Sequence, residues 1–164
     1  MKNIISIIPA RMNSSRFPNK PMKEILGIPM IGHVYKRVKM CKLFNEVYVA
    51  TCDKEIYDYI NSIGGKAVMT SANHQRCTDR CAEAMIKIEK ETNEKCNLMV
   101  LVQGDEPLVH PEMIEESIAP MLKDNKIPIT NLVADIDSIE AFENKDGIKV
   151  VLDKFNNALY FSRE

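Results

Sequence analysis

Arg11, Arg16 and Lys20 fall within one short stretch, Pro9-Ala10-Arg11-Met12-Asn13-Ser14-Ser15-Arg16-Phe17-Pro18-Asn19-Lys20-Pro21, which holds three cations and no acid. Planar guanidinium forks and an ammonium point charge are the side chains suited to phosphate oxygens. Backbone N–H groups from Asn13 to Ser15 could add donors, and Pro18 and Pro21 fix φ on both sides of Lys20. This composition suits the grip of a polyphosphate; a solvated basic turn is the other reading of the same residue types. Neither Gly-x-x-x-x-Gly-Lys-Ser/Thr nor Gly-x-Gly-x-x-Gly occurs, so the stretch is neither a P-loop nor a dinucleotide fingerprint.

A second group able to do chemistry is Asp105, in the run Gln103-Gly104-Asp105-Glu106-Pro107. In open α/β sheets, ligands sit outside the carboxyl ends of strands. A carboxylate at such an end can hold a Mg2+ ion shared with phosphates. The alternative is an Asx-type turn residue between strand and helix. His74, Cys77 and Cys81 are close in sequence, but their spacing is not a zinc signature.

The elements that must position these groups alternate as strand and helix, the pattern of βαβ units. Ile4-Ile5-Ser6-Ile7-Ile8, bounded by Pro9, reads as a buried strand that feeds the basic loop. Residues 24–29 read as a short extended turn, and residues 30–42 as a helix with Ile31, Val34, Tyr35 and Val38 at helical spacing. Residues 47–51 form a second strand. Asp53 caps a helix with Ile56, Tyr59, Ile60 and Ile63 inward and Gly64-Gly65 as its stop. A short strand over 66–69 and a polar loop over 71–77 come next. The following helix begins near Thr78 or Asp79, with Ala82, Met85, Ile86 and Lys90 along one side. Residues 98–103 form a strand that ends at Asp105, and Pro111 opens a further helix. Residues 129–136 read as a strand, Ser138 caps a helix through Phe142, and 148–152 with 159–162 form a hairpin with an Asn-rich turn. Leu159, Phe161 and the strand at 148–152 look core-facing. The architecture expected is a three-layer α/β/α sandwich, Rossmann-like, with a mainly parallel sheet and a late antiparallel hairpin, in one domain.

A chain of 164 residues with 45% hydrophobic and 27% charged residues has the size and composition of one globular domain. Its net charge of −1 recruits neither nucleic acid nor an anionic membrane, so an anion site must be local. No apolar run approaches a membrane span, and Pro9 and Arg11 interrupt the only amino-terminal run that could pass for a signal peptide. Five cysteines, with no Cys-x-x-Cys, read as reduced thiols of a cytosolic protein.

Ile8-Pro9-Ala10-Arg11 with Ser14, Ser15, Arg16, Pro18, Lys20 and Pro21 resembles the opening loop of the cytidylyltransferases that activate acidic sugars. The match continues in order through Gly27-Ile28-Pro29-Met30-Ile31, Val49-Ala50-Thr51, Met69-Thr70, His74, Thr78-Asp79-Arg80 and Ala82-Glu83. Val102-Gln103-Gly104-Asp105-Glu106-Pro107, Lys149-Val150-Val151-Leu152-Asp153 and Ala158-Leu159-Tyr160-Phe161-Ser162-Arg163 complete it. The run from Gln103 and the run from Leu159 favour the 3-deoxy-manno-octulosonate branch over the sialate branch. The resemblance implies the nucleotide-diphospho-sugar transferase type of fold. It implies transfer of CMP from CTP to the 2-hydroxyl of 3-deoxy-manno-octulosonate, with release of pyrophosphate, for lipopolysaccharide or capsule synthesis in the cytoplasm. Related acidic sugars, an amino-octulosonate or a nonulosonic acid, are the alternative acceptors. By the same resemblance Arg11, Lys20 and Asp105 are catalytic, and Asp105 ligates Mg2+. Ala10, Arg11, Ser15, Arg16, Lys20, Thr78, Arg80 and Gln103 bind the nucleotide.

Each of these residues also has a plainer reading. Arg80 could pair with Glu83 or Glu116, Thr78 could be an N-cap, Gln103 a satisfied strand-end amide and His74 a solvated loop residue. The sequence departs from the family pattern in two places. A Ser-Gly-Thr run is here Arg76-Cys77-Thr78, which removes a glycine's freedom of close approach. The family also continues beyond the equivalent of Glu164 with a stretch that carries a second metal-binding aspartate, sugar contacts and dimer surface. Within this chain Glu106 and Asp153 are the substitutes to consider; without a second carboxylate the chain would be a nucleotide-binding module without turnover.

Overall fold

A computed structural model describes residues 2–13 and 17–163. Ser15 and Arg16, two of the expected phosphate contacts, lie outside the described residues. The chain divides into two compact units, Met1–Pro128 and Ile129–Glu164.

The first unit is built on a parallel sheet of β1 (Ile4–Ala10), β4 (Glu46–Thr51), β5 (Lys66–Met69) and β6 (Leu98–Leu101), in the spatial order β5-β4-β1-β6. β1 is central and all seven of its residues are buried, as a β-branched run covered on both faces requires. The period of two sorts its side chains. Ile5 and Ile7 join Tyr48, Ala50 and the α3 residues (Cys77–Thr92) Cys81, Ala84 and Ile88. On the other face Ile8 and Ala10 join Val47 and Val49 with α1 (Met30–Val38), α2 (Lys54–Ser62) and α4 (Pro111–Lys123). Helices thus cover both faces of the sheet, giving three layers.

The strand order carries the functional consequence. From β1 the chain moves outward through β4 to β5, then returns across the other face by α3 to lay β6 on the far side of β1. The order reverses between β1 and β6, and the crevice outside their carboxyl ends is where open α/β sheets bind ligands. Gly104 permits that crevice to be narrow. A Cβ there would lie 2.5 Å from the Pro9 carbonyl oxygen, so only glycine lets the chain leaving β6 pass so close to the end of β1.

A 3-10 turn (Lys20–Met22) and a small hairpin, β2 (Glu24–Ile25) with β3 (Ile28–Pro29), connect β1 to α1. Leu26 and Gly27 at its tip both have positive φ, the requirement of a two-residue hairpin turn. In the second unit, α5 (Ile139–Glu143) is capped by Ser138, whose Oγ accepts from the Ala141 N–H at 3.1 Å. β7 (Lys149–Leu152) pairs antiparallel with β8 (Ala158–Ser162). Asp153 closes their turn, accepting from Phe155 N–H and Asn157 N–H at 2.8 Å each, and Asn156 takes positive φ.

Several expectations need correction. The α1 helix ends at Val38 rather than Lys42, because Met40 and Cys41 donate to Arg37 and Val38 and tighten the chain into turns. The inward face of α3 is Arg80, Cys81, Ala84 and Ile88, while Ile86 is exposed. Apolar periodicity alone does not pick out this face, because one of its members is an arginine. Residues 129–136 form no strand: a β-branched run specifies extended backbone, but a ladder also needs a neighbour. Leu159, Phe161 and Ile148 are exposed, since a two-stranded ribbon cannot bury its own faces.

Candidate functional site

The basic loop is tied at its neck. Asn19 N–H donates to the Met12 carbonyl at 3.1 Å, and Met12 N–H donates to Asp53 Oδ2 at 2.8 Å. Asp53 in turn donates its N–H to Thr51 Oγ1 at 3.1 Å, so the loop is fastened to the end of β4. Asp53 does precede α2, but its side chain makes no cap to that helix. The loop has taken the carboxylate instead. Pro21 is buried and anchors the turn from which Lys20 extends.

Lys20 reaches across to β6. Its Nζ lies 2.8 Å from Asp105 Oδ2, with the two side chains about one-third and one-half exposed. A pair this exposed adds little to stability, roughly 0–1 kcal/mol. Ala10 is buried at the end of β1 and Arg11 is exposed just beyond it. The end of β6 also meets the start of α3, where Gln103 Nε2 lies 3.5 Å from Cys77 Sγ. Arg76 and Thr78 flank that thiol and are exposed. Arg76 is the residue before the helix and Thr78 lies inside its first turn, so Thr78 is not an N-cap.

Arg80 does not pair with Glu83 or Glu116. It is 2% exposed, and its Nη1 donates to Thr70 Oγ1 and to the Ser71 carbonyl at 3.3 Å. Its Nη2 is buried with no hydrogen-bond partner among the described residues. Thr70 donates both its N–H and its hydroxyl to the Thr51 carbonyl, at 2.8 and 3.1 Å. Glu83, one turn beyond Arg80, accepts from Ser71 N–H, His74 and Lys87. The Lys87 hydrogen bond, then that of Ser71 and, to a lesser degree, that of His74 outweigh the opposing effect of burial and bring its carboxyl down to about 2. His74 is therefore a half-buried partner of Glu83 rather than a solvated residue. Burial pushes the Cys81 thiol up to about 12, so it is an inert core group.

The segment from residue 5 to 164 matches the model of the family described as Cytidylyltransferase. The chain belongs to the cytidylyltransferase family. It is 44% identical over 160 residues, 98% of this chain and 61% of the relative, to a 3-deoxy-manno-octulosonate cytidylyltransferase of Geobacter metallireducens. To the protein of that name from Syntrophus aciditrophicus it is 42% identical over 163 residues, 99% of this chain and 64% of the relative. Among solved structures, a CMP:2-keto-3-deoxy-manno-octonic acid synthetase complexed with CTP superposes with a TM-score of 0.90 at 38% identity, covering 99% of this chain and 64% of that one. The chain thus spans about three-fifths of the length of the cytidylyltransferases that it matches.

Among the described residues, Asp105 is the carboxylate that stands beside Lys20 in this crevice and could meet a divalent metal. Mg2+ is usually held by one or two carboxylates plus substrate phosphates, with water completing its shell. Asp105 fits that role, being half-exposed at a strand end beside a cation suited to phosphate. No group of three or more His, Cys, Asp or Glu is placed to hold an ion among the described residues. Asp153 is committed to its hairpin turn, where Asn157 and Phe155 bind both of its oxygens. Sequence reasoning missed Asp53 and Thr70 as parts of the site. The strand-end rule that found Asp105 applies equally to Asp53, two residues after β4; only its reading as a helix cap hid it.

Proposed function

We propose that this chain forms the nucleotide-binding part of an enzyme that transfers CMP from CTP to the 2-hydroxyl of 3-deoxy-manno-octulosonate, releasing pyrophosphate. The observation that carries this reading is the Lys20–Asp105 pair, at 2.8 Å, in the crevice where the sheet order reverses. Likeness to a synthetase complexed with CTP supports the nucleotide, and the names of the relatives support the sugar.

In this reading the chain binds and orients. Arg11 and Lys20, with Ser15 and Arg16, hold the triphosphate and offset charge as it gathers on the leaving pyrophosphate. Ala10, Gln103 and Thr78 serve the nucleotide beside it, with the buried Arg80 behind them. Asp105 holds Mg2+, which supplies Lewis-acid charge neutralisation at the phosphates. Little covalent work falls to the protein, because an in-line attack by the sugar hydroxyl on the α-phosphorus needs chiefly alignment. No helix among the described residues is long and apolar enough to cross a membrane. All five cysteines are unbridged, which suits work in the cytoplasm, and the full-length protein would act as a homodimer.

The test is calorimetry with CTP, followed by pyrophosphate release with CTP, Mg2+ and each candidate sugar. Saturable CTP binding is expected, with release that depends on 3-deoxy-manno-octulosonate. Release driven only by an amino-octulosonate or a nonulosonic acid would reassign the acceptor. CTP binding without release by any sugar would leave a nucleotide-binding module, and no CTP binding would overturn the proposal.

A further inference from the structure

Arg80 is the least expected side chain in the first unit: a guanidinium 2% exposed, with no carboxylate partner among the described residues. A guanidinium stays charged in a protein, and burying it without an ion partner is costly unless its donors are used. Two acceptors use Nη1, and both belong to one place, Thr70 and Ser71 at the exit of β5. Thr70 is itself fixed to the Thr51 carbonyl through two hydrogen bonds. Arg80 therefore fastens the first turn of α3 to the carboxyl ends of β5 and β4 at once. The same turn of helix sets Cys77 3.5 Å from the Gln103 amide.

We infer that Arg80 is a positioning residue for the nucleoside end of the site, acting through the Cys77-Thr78 turn; this rests on the function proposed above. The chemistry of the groups separates two ends. Lys20 and Asp105 are charged and suit phosphate and metal. The thiol of Cys77, the hydroxyl of Thr78 and the amide of Gln103 are neutral hydrogen-bonding groups, suited to a ribose or a base. These neutral groups come from two elements, β6 and α3, and their spacing depends on where α3 begins. The Arg80 guanidinium fixes that start through Nη1, which donates to acceptors on two adjacent residues. A lysine at this position keeps the charge, but a rotating ammonium on a flexible stem replaces the rigid planar group, so the two acceptors are no longer held in one fixed geometry.

The experiment compares binding of CTP, UTP and inorganic tripolyphosphate by calorimetry, for the parent, Arg80→Lys and Thr70→Val. Thr70→Val removes one of the acceptors of Arg80 while leaving the buried arginine in place. Thermal melting shows that each variant is folded. The expected result is CTP affinity weakened about tenfold in both variants, the worth of one charge-assisted hydrogen bond. Discrimination between CTP and UTP narrows, and tripolyphosphate affinity stays within about twofold. Two folded variants with unchanged CTP affinity and selectivity would overturn the inference. Equal losses for CTP and tripolyphosphate would also overturn it, because Arg80 would then serve the phosphate end. A parent protein that binds neither CTP nor tripolyphosphate would instead refute the proposed function, an outcome the parent alone decides.

Discussion

The two ends of the central sheet use charge in opposite ways. At the amino end, Glu46 opens β4 and accepts from Lys39, from Lys66 at the start of β5 and from its own neighbour Val47. Burial by itself raises the Glu46 carboxyl, but those hydrogen bonds outweigh it and bring it down to about 2. Two cations and a backbone donor surround one acid, and the cluster is closed. At the carboxyl end, among the described residues, Asp105 meets Lys20 with both partly exposed, while Arg80 is buried against a hydroxyl and a carbonyl with no acid beside it. The comparison separates charge that holds the fold from charge arranged for a ligand: the first is satisfied within the protein, the second only in part.

Asp105→Asn breaks the comparison most sharply. An amide keeps the shape but is a poor partner for a hard cation. Pyrophosphate release should fall on the order of 10²-fold or more, the several kcal/mol that a metal supplies, while the melting temperature stays near that of the parent. Turnover within a few-fold of the parent would remove Asp105 from metal binding.

Lys20→Ala should weaken CTP by roughly 1.5–3 kcal/mol, the cost of losing a charge-assisted hydrogen bond, and leave cytidine binding unchanged. Calorimetry with both ligands checks it. Equal weakening would mean that Lys20 does not serve phosphate.

Gly104→Ala tests whether the narrow crevice matters. The new Cβ meets the Pro9 carbonyl, and overpacking of this kind costs about 1–3 kcal/mol, to be read from urea unfolding. CTP affinity should fall as well, because Asp105 is the next residue. Stability loss with CTP affinity intact would show that the site tolerates a wider crevice.

Glu46→Gln should have the smallest effect and none on CTP. Because its folded pKa is depressed, the stability that Glu46 contributes is fully present above about pH 4.5 and is lost as pH falls toward about 2. Screening of the half-exposed lysines limits that contribution to about 1–2 kcal/mol. Unfolding curves of parent and variant should differ at neutral pH and converge at low pH. A constant gap across that window would place the effect outside this carboxylate.

The sequence made local features legible and left pairings obscure. β1 could be read because Ile4-Ile5-Ser6-Ile7-Ile8 combines β-branched residues with a proline boundary, and the hairpin at Asp153 because its turn chemistry is local. Lys20 and Asp105 were each identifiable, but that they touch depends on β6 returning to the far side of β1, which no local pattern encodes. The role of Asp53 was hidden for a similar reason, since its partner Met12 is 41 residues away. Arg80 escaped the reading of α3 because periodicity sorts residues by polarity, and the inward face of this helix includes a charge.

The place of β1 at the centre of the sheet has a consequence for the order in which the molecule is made. It is translated before both of its partners, and it pairs with β4 in the register Ile5 to Glu46 and with β6 in the register Ile4 to Leu98. At about 5–20 residues per second, one flank of this largely apolar strand waits several seconds after the other has found its partner. During that interval the nascent chain presents a sticky edge, and the pocket does not exist until Asp105 has left the ribosome. The scaffold can therefore be inspected by chaperones before the binding site is complete.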